Sequence, residues 1–292
     1  MSLFDTYIMV DWSGGNDAGP TPRKDAIWAC IARGGVTETP VYLRNREVAE
    51  TWLTEMIADE IGAGRRVCAG FDFPFGYPRG FGAALTGSND PLAVWDWFAD
   101  HIEDAPEGNN RCQVASDINA LFEGVGPFWG NPYPTRDFAH LPRKGLARSN
   151  RDFPEKRAVE ELAKGSFTCW QLSGAGAVGS QVIMGLPVLA RLRHRFSGQV
   201  AAWPFEVLDR SVALVEIWPS LIAGAVARDM RADEIKDAAQ VRVLAGAVAR
   251  LDAEGALEPL LRAGTAGDRE GWILGVGFEA QLEQAATGEV YA

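Results

Sequence analysis

The sequence predicts a mixed α/β fold, and three observations carry that prediction. Short β-rich runs recur along the chain, several of them end on a carboxylate, and amphipathic helical stretches separate them. A hydrophobic fraction of 47% over 292 residues gives an ample core without disulfides or a structural metal.

The elements follow in order. Residues 6–12, TYIMVDW, read as a strand ending near Asp11, and the Gly-, Asn- and Pro-rich stretch SGGNDAGPTPRKD then turns the chain. Residues 26–33 and 36–43 read as two more strands around Gly34-Gly35, which suggests an antiparallel meander. A helix over 46–62 has an apolar face of Val48, Trp52, Met56, Ile57 and Ile61, and Gly62 and Gly64 end it. Residues 66–72, RVCAGFD, form a fourth strand and again close on a carboxylate. Helices are expected at 90–104, 111–123, 155–164 and 180–196, with a Pro-, Gly- and aromatic-rich loop over 124–153. Strands at 200–206 and 211–217 follow, then helices at 219–228, 233–253 and 269–286. No clean linker divides the chain, so residues 1–292 read as one domain carrying a mostly helical and loop insertion at about 76–180.

Charge and cysteine usage exclude some function classes. With 28 basic against 39 acidic residues the formal charge is −11, which argues against general affinity for nucleic acid or anionic membranes. No apolar run approaches the ~18–20 residues of a membrane span, and the start MSLFDTYIMVDW lacks the features of a signal peptide. Cys30, Cys68, Cys112 and Cys169 are far apart and show no C-x-x-C spacing, so a reducing, cytoplasmic setting is expected. No G-x-S-x-G elbow or Walker-type loop is present.

Asp11 ends YIMVD, Asp72 ends VCAGFD and Glu216 interrupts VALVEIWP. In α/β sheets ligands gather beyond the carboxyl ends of the strands. An ionised carboxylate in an apolar strand must be paired, protonated or metal-bound, and few basic residues lie beside these three in sequence. A hard cation such as Mg²⁺ or Mn²⁺ would relieve their repulsion. The alternative for each acid alone is that it caps a turn.

The motifs VDWSGG (10–15), GFDFPFG (70–76), GAVGSQVIMGLPVLARL (176–192), VEIWPSL (215–221) and IKDAAQVR (235–242), with the β-β-β-α-β order, resemble a known family. It is the predicted-nuclease family of unknown function (DUF429-type proteins) within the RNase H-like fold superfamily. The resemblance implies a five-stranded mixed sheet flanked by helices. It also implies an acid on the first strand (Asp11), one at an I-D-x-P-like strand end (Asp72) and one in an E-x-x-P-like strand (Glu216). A further acidic pair at the start of the family's last helix corresponds here to GDREGWILGV, which makes Asp268 and Glu270 candidates, although an apolar residue replaces the second aspartate of the D-D-A-x-D-A pattern. The implied activity is metal-dependent hydrolysis of a phosphodiester in nucleic acid or a nucleotide-like substrate. Asp11 would bridge two cations, and Asp72 and Glu216 would complete their coordination. Lys236 and Asp237 either reach this site or pair along their helix, and pairing is the commoner use of such residues.

Two other functions fit the sequence. Ser13-Gly14-Gly15 after a strand-end Asp is similar to the first phosphate loop of the actin/sugar-kinase superfamily, which implies a phosphate- or nucleotide-binding or phosphotransfer protein. That reading extends to a link with molybdopterin guanine dinucleotide synthesis; its bland counterpart is a tight glycine turn. A non-catalytic binding protein on the same fold is the other. Arg136, Arg143, Lys144, Arg148, Arg151, Lys156 and Arg157, interleaved with Phe128, Trp129, Tyr133, Phe138 and Phe153, offer a local surface for phosphates and bases or an aromatic-anchored loop. Arg136, Arg143, Lys144 and Arg148 are its phosphate-contact candidates. His101, His140 and His194 show no metal spacing; His194 suits a helix end, and His140 is the one candidate proton shuttle.

Overall fold

The computed structural model describes residues 2–145, 153–264 and 269–287. Strand β1 (Thr6–Asp11) pairs antiparallel with β2 (Ile27–Arg33), and β3 (Val36–Thr37) and β4 (Val41–Leu43) both pair antiparallel with β2. The single strand expected over 36–43 is split, because Pro40 has no N–H with which to continue the ladder. Helix α1 (Arg46–Gly62) starts where Asn45 caps it, its side chain accepting from the Val48 N–H at 2.9 Å. Its buried face is Ala49, Leu53, Ile57 and Glu60, rotated from the expected one, and Val48 is exposed. Strand β5 (Val67–Phe71) then runs parallel to β1 and is buried throughout.

The insertion carries α2 (Phe81–Thr86), α3 (Ala93–His101), a small hairpin of β6 (Asp104–Ala105) and β7 (Gly108–Asn109), α4 (Arg111–Asn119) and α5 (Ala158–Leu162). The chain continues through α6 (Gly179–Arg195), β8 (Val200–Ala202) and β9 (Val212–Glu216), the last running parallel to β5 and β8. A 3-10 turn at Pro219–Ile222 leads into α7 (Ala223–Asp229), α8 (Lys236–Ala253), α9 (Leu257–Ala263) and α10 (Glu279–Thr287).

Among the described residues the main sheet is mixed and has seven strands rather than five, in the order β3-β2-β1-β5-β9-β8, with β4 also on β2. The two additional strands are short pieces: β8, and the extra half produced by the split of the third strand into β3 and β4. The expected helix over 269–286 forms only from Glu279, because Gly271, Gly275 and Gly277 adopt positive φ angles of 87°, 97° and 86°. The preceding loop instead lies along β9, where the Leu274 N–H donates to the Glu216 carbonyl at 2.9 Å.

Side-chain alternation divides the core into two layers. Ile8, Val10, Ala69, Phe71 and Leu214 join α1, α6 and the insertion's aromatics on one face. Tyr7, Met9, Cys68, Ala213 and Val215 pack with α7, α8, α9 and α10 on the other. The four cysteines are buried and free. Among the described residues no helix is long and apolar enough to cross a membrane.

Two helix glycines respond oppositely to a methyl group. At Gly185 in α6 an added Cβ would lie 2.4 Å from the buried Phe73 ring, whereas at Gly62 nothing lies within 4 Å. Overpacking costs about 1–3 kcal/mol against about 1 kcal/mol of helix propensity gained. Thermal unfolding should therefore show Gly185→Ala lowering Tm and Gly62→Ala raising it.

Candidate functional site

Adjacent parallel strands bring two of the predicted acids together. Val10 pairs with Phe71, and the Asp72 N–H donates to the Val10 carbonyl at 3.0 Å, so Asp11 and Asp72 stand side by side one residue beyond. Both continue the alternation of Tyr7-Met9 and Cys68-Gly70, which points them to the α8 face. Helix α8 packs on β1 and β2 and places Asp237, in its first turn, over the same strand end. The Asp25 N–H donates to Asp237 Oδ2 at 2.7 Å, and Ser13 Oγ donates to the Asp25 carbonyl at 3.1 Å.

No hydrogen bond or ion pair reaches the Asp11 or Asp72 carboxylate among the described residues, and this decides their electrostatics. Burial raises both carboxyls. The Asp72 charge, then Asp237 and Asp25, raise Asp11 further, while Lys236 opposes them. Asp72 is pushed up to about 7 by burial and by the charges of Glu216 and Asp237. Asp237 is raised by burial despite the Asp25 N–H it accepts. Such a group of acids holds protons or a cation.

Glu216 has a different fate. It pairs with Phe71 and so falls on the opposite parity from Asp11 and Asp72, toward the insertion. There the wholly buried Arg157 grips it through two contacts, Nη2 to Oε1 at 2.6 Å and Nη1 to Oε2 at 2.8 Å. Arg157 also donates from Nε to Glu160 at 2.9 Å and from Nη1 to the Glu270 carbonyl at 3.1 Å, and the Phe75 N–H donates to Glu216 Oε2 at 2.9 Å. Glu216, expected as a metal ligand, instead has both oxygens in hydrogen bonds, to the Phe75 N–H and to Arg157. Sequence proximity hides this partner, since 59 residues separate the two.

The remaining candidates separate likewise. Glu270 accepts from the Arg79 and Ala158 N–H groups at 2.5 and 2.8 Å, so it ties two insertion segments together and does not join the acids. Asp268 and Arg148 lie outside the described residues. In the Ser13-Gly14-Gly15 turn, the Gly15 N–H donates to Ser13 Oγ, and the buried Arg46 holds the Ser13 and Gly15 carbonyls. Gly14 is pressed on Ser180, which an added Cβ would meet at 2.6 Å, so close packing requires this glycine. The expected phosphate cradle is thus an internally bonded turn.

Arg136 lies over Phe138 at 4.7 Å from the ring centroid, and Arg143 donates to the Tyr133 and Arg136 carbonyls and to Asp137. Both cations hold their own loop. Lys144 is exposed. Of the aromatics proposed to stack on bases, Phe128 and Phe138 are buried, and Phe153 sits edge-on to Phe81 and Phe122. His194 pairs with Asp96 at 2.8 Å, and His140 is exposed, its N–H donating to Ser116 Oγ.

Among the described residues no three His, Cys, Asp or Glu side chains form a group able to hold a metal ion alone. The donor chemistry nonetheless suits Mg²⁺ or Mn²⁺. Mg²⁺ is commonly held by one or two carboxylates, with water and substrate phosphate completing its shell. Asp11 and Asp72 are such a pair, and Glu216 is engaged by Arg157 on the other face. No family model, curated protein or solved structure matches the chain.

Two predictions follow the two kinds of acid. Arg157→Met leaves Glu216 and Glu160 buried without their cation and should cost about 3–5 kcal/mol in urea unfolding. Combining it with Glu216→Gln should cost less than the sum of the single changes. For Asp72 the folded-state value near 7 exceeds the unfolded value near ~3.9, so the folded chain binds the extra proton and this site's contribution to stability falls as pH rises between them. In EDTA, Asp72→Asn should flatten the decline of Tm from about pH 5 to about pH 8 and raise Tm at the alkaline end; equal slopes in both proteins would refute the half-buried, unpaired carboxyl.

Proposed function

We propose that the chain is a divalent-metal-dependent phosphodiester hydrolase on an RNase H-like sheet, acting in the cytoplasm on nucleic acid or a nucleotide-like phosphorylated substrate. The observation that carries the reading is the pair Asp11 and Asp72, without partners among the described residues at adjacent parallel strand ends. The strand order supports the fold assignment. An antiparallel β1-β2-β3 side joins a parallel β1-β5-β9 side, and a helix crosses between β4 and β5.

Asp11 and Asp72 would hold Mg²⁺ or Mn²⁺ by one or both carboxylates. The cation supplies charge neutralisation at the phosphate and a water of lowered pKa. Asp237 Oδ2 is held by the Asp25 N–H, which leaves Oδ1 to take a proton or orient water. The Arg157–Glu216 pair fixes the loop after β5 through the Phe75 N–H and so sets the backbone that carries Asp72. With a chain charge of −11, an anionic substrate meets net repulsion that a bound cation offsets locally.

The test is Mn²⁺-dependent cleavage of bis(p-nitrophenyl) phosphate. Asp11→Asn and Asp72→Asn should each lower kcat/KM by at least about a hundredfold while the protein stays folded. Asp237→Asn should have the smaller effect, and Glu270→Gln should act through stability alone. Unchanged turnover in Asp11→Asn would sink the reading.

A further inference from the structure

A small cleft joins Asp72 to an aromatic rim that the acids do not explain. Asp72, Phe73, Pro74, Phe167, Val178 and Trp218 are among the residues that line it, with Arg157, Glu160 and Glu216 at its base. Its volume of about 40 Å³ admits an ion or a water or two and no organic ring. Any larger group belonging to a ligand at Asp72 must therefore lie over the cleft, against its rim.

Phe167 is built for that position. It follows Ser166, whose hydroxyl donates to the Glu160 carbonyl at 3.0 Å, and precedes Thr168, whose hydroxyl donates to the Glu155 carbonyl at 2.7 Å. The backbone on both sides of the ring is thereby pinned. One side of the ring rests on Gly176, where an added Cβ would fall 2.1–2.3 Å from three ring atoms, so only glycine admits the ring there. The ring is nevertheless 49% exposed, while the aromatics around it in sequence, Phe153 and Trp170, pack inward. Trp218 is partly buried and lines the same cleft. Leaving a large apolar ring half in water costs hydrophobic stabilisation that an inward rotamer or a polar residue would avoid.

We infer that Phe167, with Trp218 on the same cleft, is a stacking platform for an unpaired nucleobase whose phosphate reaches Asp72. The inference rests on the phosphodiesterase reading for the phosphate and adds the recognised group. A base in a duplex has both faces covered, so the platform selects mononucleotides or single strands. Aromatic stacking is tolerant of base identity. Specificity then lies in strandedness rather than sequence.

The experiment measures binding by calorimetry in Mn²⁺ with adenosine 5′-monophosphate and ribose 5-phosphate, using the full chain. The nucleotide should bind at least about tenfold more tightly than the sugar phosphate. Phe167→Ala should remove most of that difference and leave ribose 5-phosphate unchanged, and Phe167→Trp should restore it. Leu162→Ala, another exposed apolar residue on the insertion, serves as the control and should change neither. Equal affinities for the two ligands, binding of neither, or a parallel loss of both in Phe167→Ala would overturn the platform. Cleavage that depends on Asp11 without base preference removes the platform and keeps the hydrolase. Base-dependent binding that needs Phe167 in a chain that cleaves no phosphodiester removes the hydrolase and keeps the platform.

Discussion

The buried guanidinium of Arg157 is the interaction on which the arrangement of this end of the sheet depends. It contacts Glu216 at the end of β9, Glu160 in α5 and the carbonyl of Glu270 in the loop that lies along β9. Three stretches distant in sequence are thus fixed around one planar cation. Burying it alone would cost several kcal/mol, so its carboxylate partners and the shape of the pocket are mutually required. The consequence reaches Asp72, because Glu216 Oε2 also holds the Phe75 N–H at the start of the insertion. One ionic cluster therefore attaches the insertion to the sheet and sets the path of the chain leaving β5.

Much of the fold was legible in the sequence because its signals are local. The helix over 46–62 is found with the same bounds, since Asn45 and the glycines at its end mark them. Strands at 6–12, 26–33, 66–72 and 211–217 each occur within a residue of the expected limits, their apolar β-branched runs being bounded by turn residues. The helix expected over 269–286 begins only at Glu279: the apolar spacing of GWILGVGF resembles a helical face, whereas Gly271, Gly275 and Gly277 take backbone angles that a helix cannot. The split of the third strand at Pro40 was similarly available from proline chemistry.

The site was legible only in part, and the reason is parity. Asp11, Asp72 and Glu216 have near-identical strand-end contexts, yet β9 meets β5 with Glu216 opposite Phe71, one position short of Asp72. A one-residue offset in a strand exchanges its faces, and no local sequence pattern reports it. Sequence alone groups Arg157 with a basic surface because its partners lie 59 and more residues away, except for Glu160. Asp237 had a local signal, an acid in the first turn of a helix shortly after β9. Its helix-pairing interpretation was equally consistent with spacing alone, and only the packing of α8 on β1 and β2 separates the two.

The two classes of acid, half-buried on one face and buried on the other, follow from what each face offers. On the insertion side, Arg157 arrives with donors enough for Glu160, Glu216 and a carbonyl, so the two carboxylates there share one cation and are hydrogen-bonded within the protein. On the α8 side, Lys236 lowers Asp11, and it is exposed. Asp11, Asp72 and Asp237 consequently remain under-neutralised, with each carboxyl raised. A fold under selection for stability alone would replace such acids by amides or apolar residues at little cost. Their presence on one face, beside an ion cluster that carries its own cation on the other, is intelligible if the missing positive charge comes from a ligand. A divalent cation shared with a substrate phosphate would supply it without a third protein carboxylate, which is the coordination habit of Mg²⁺.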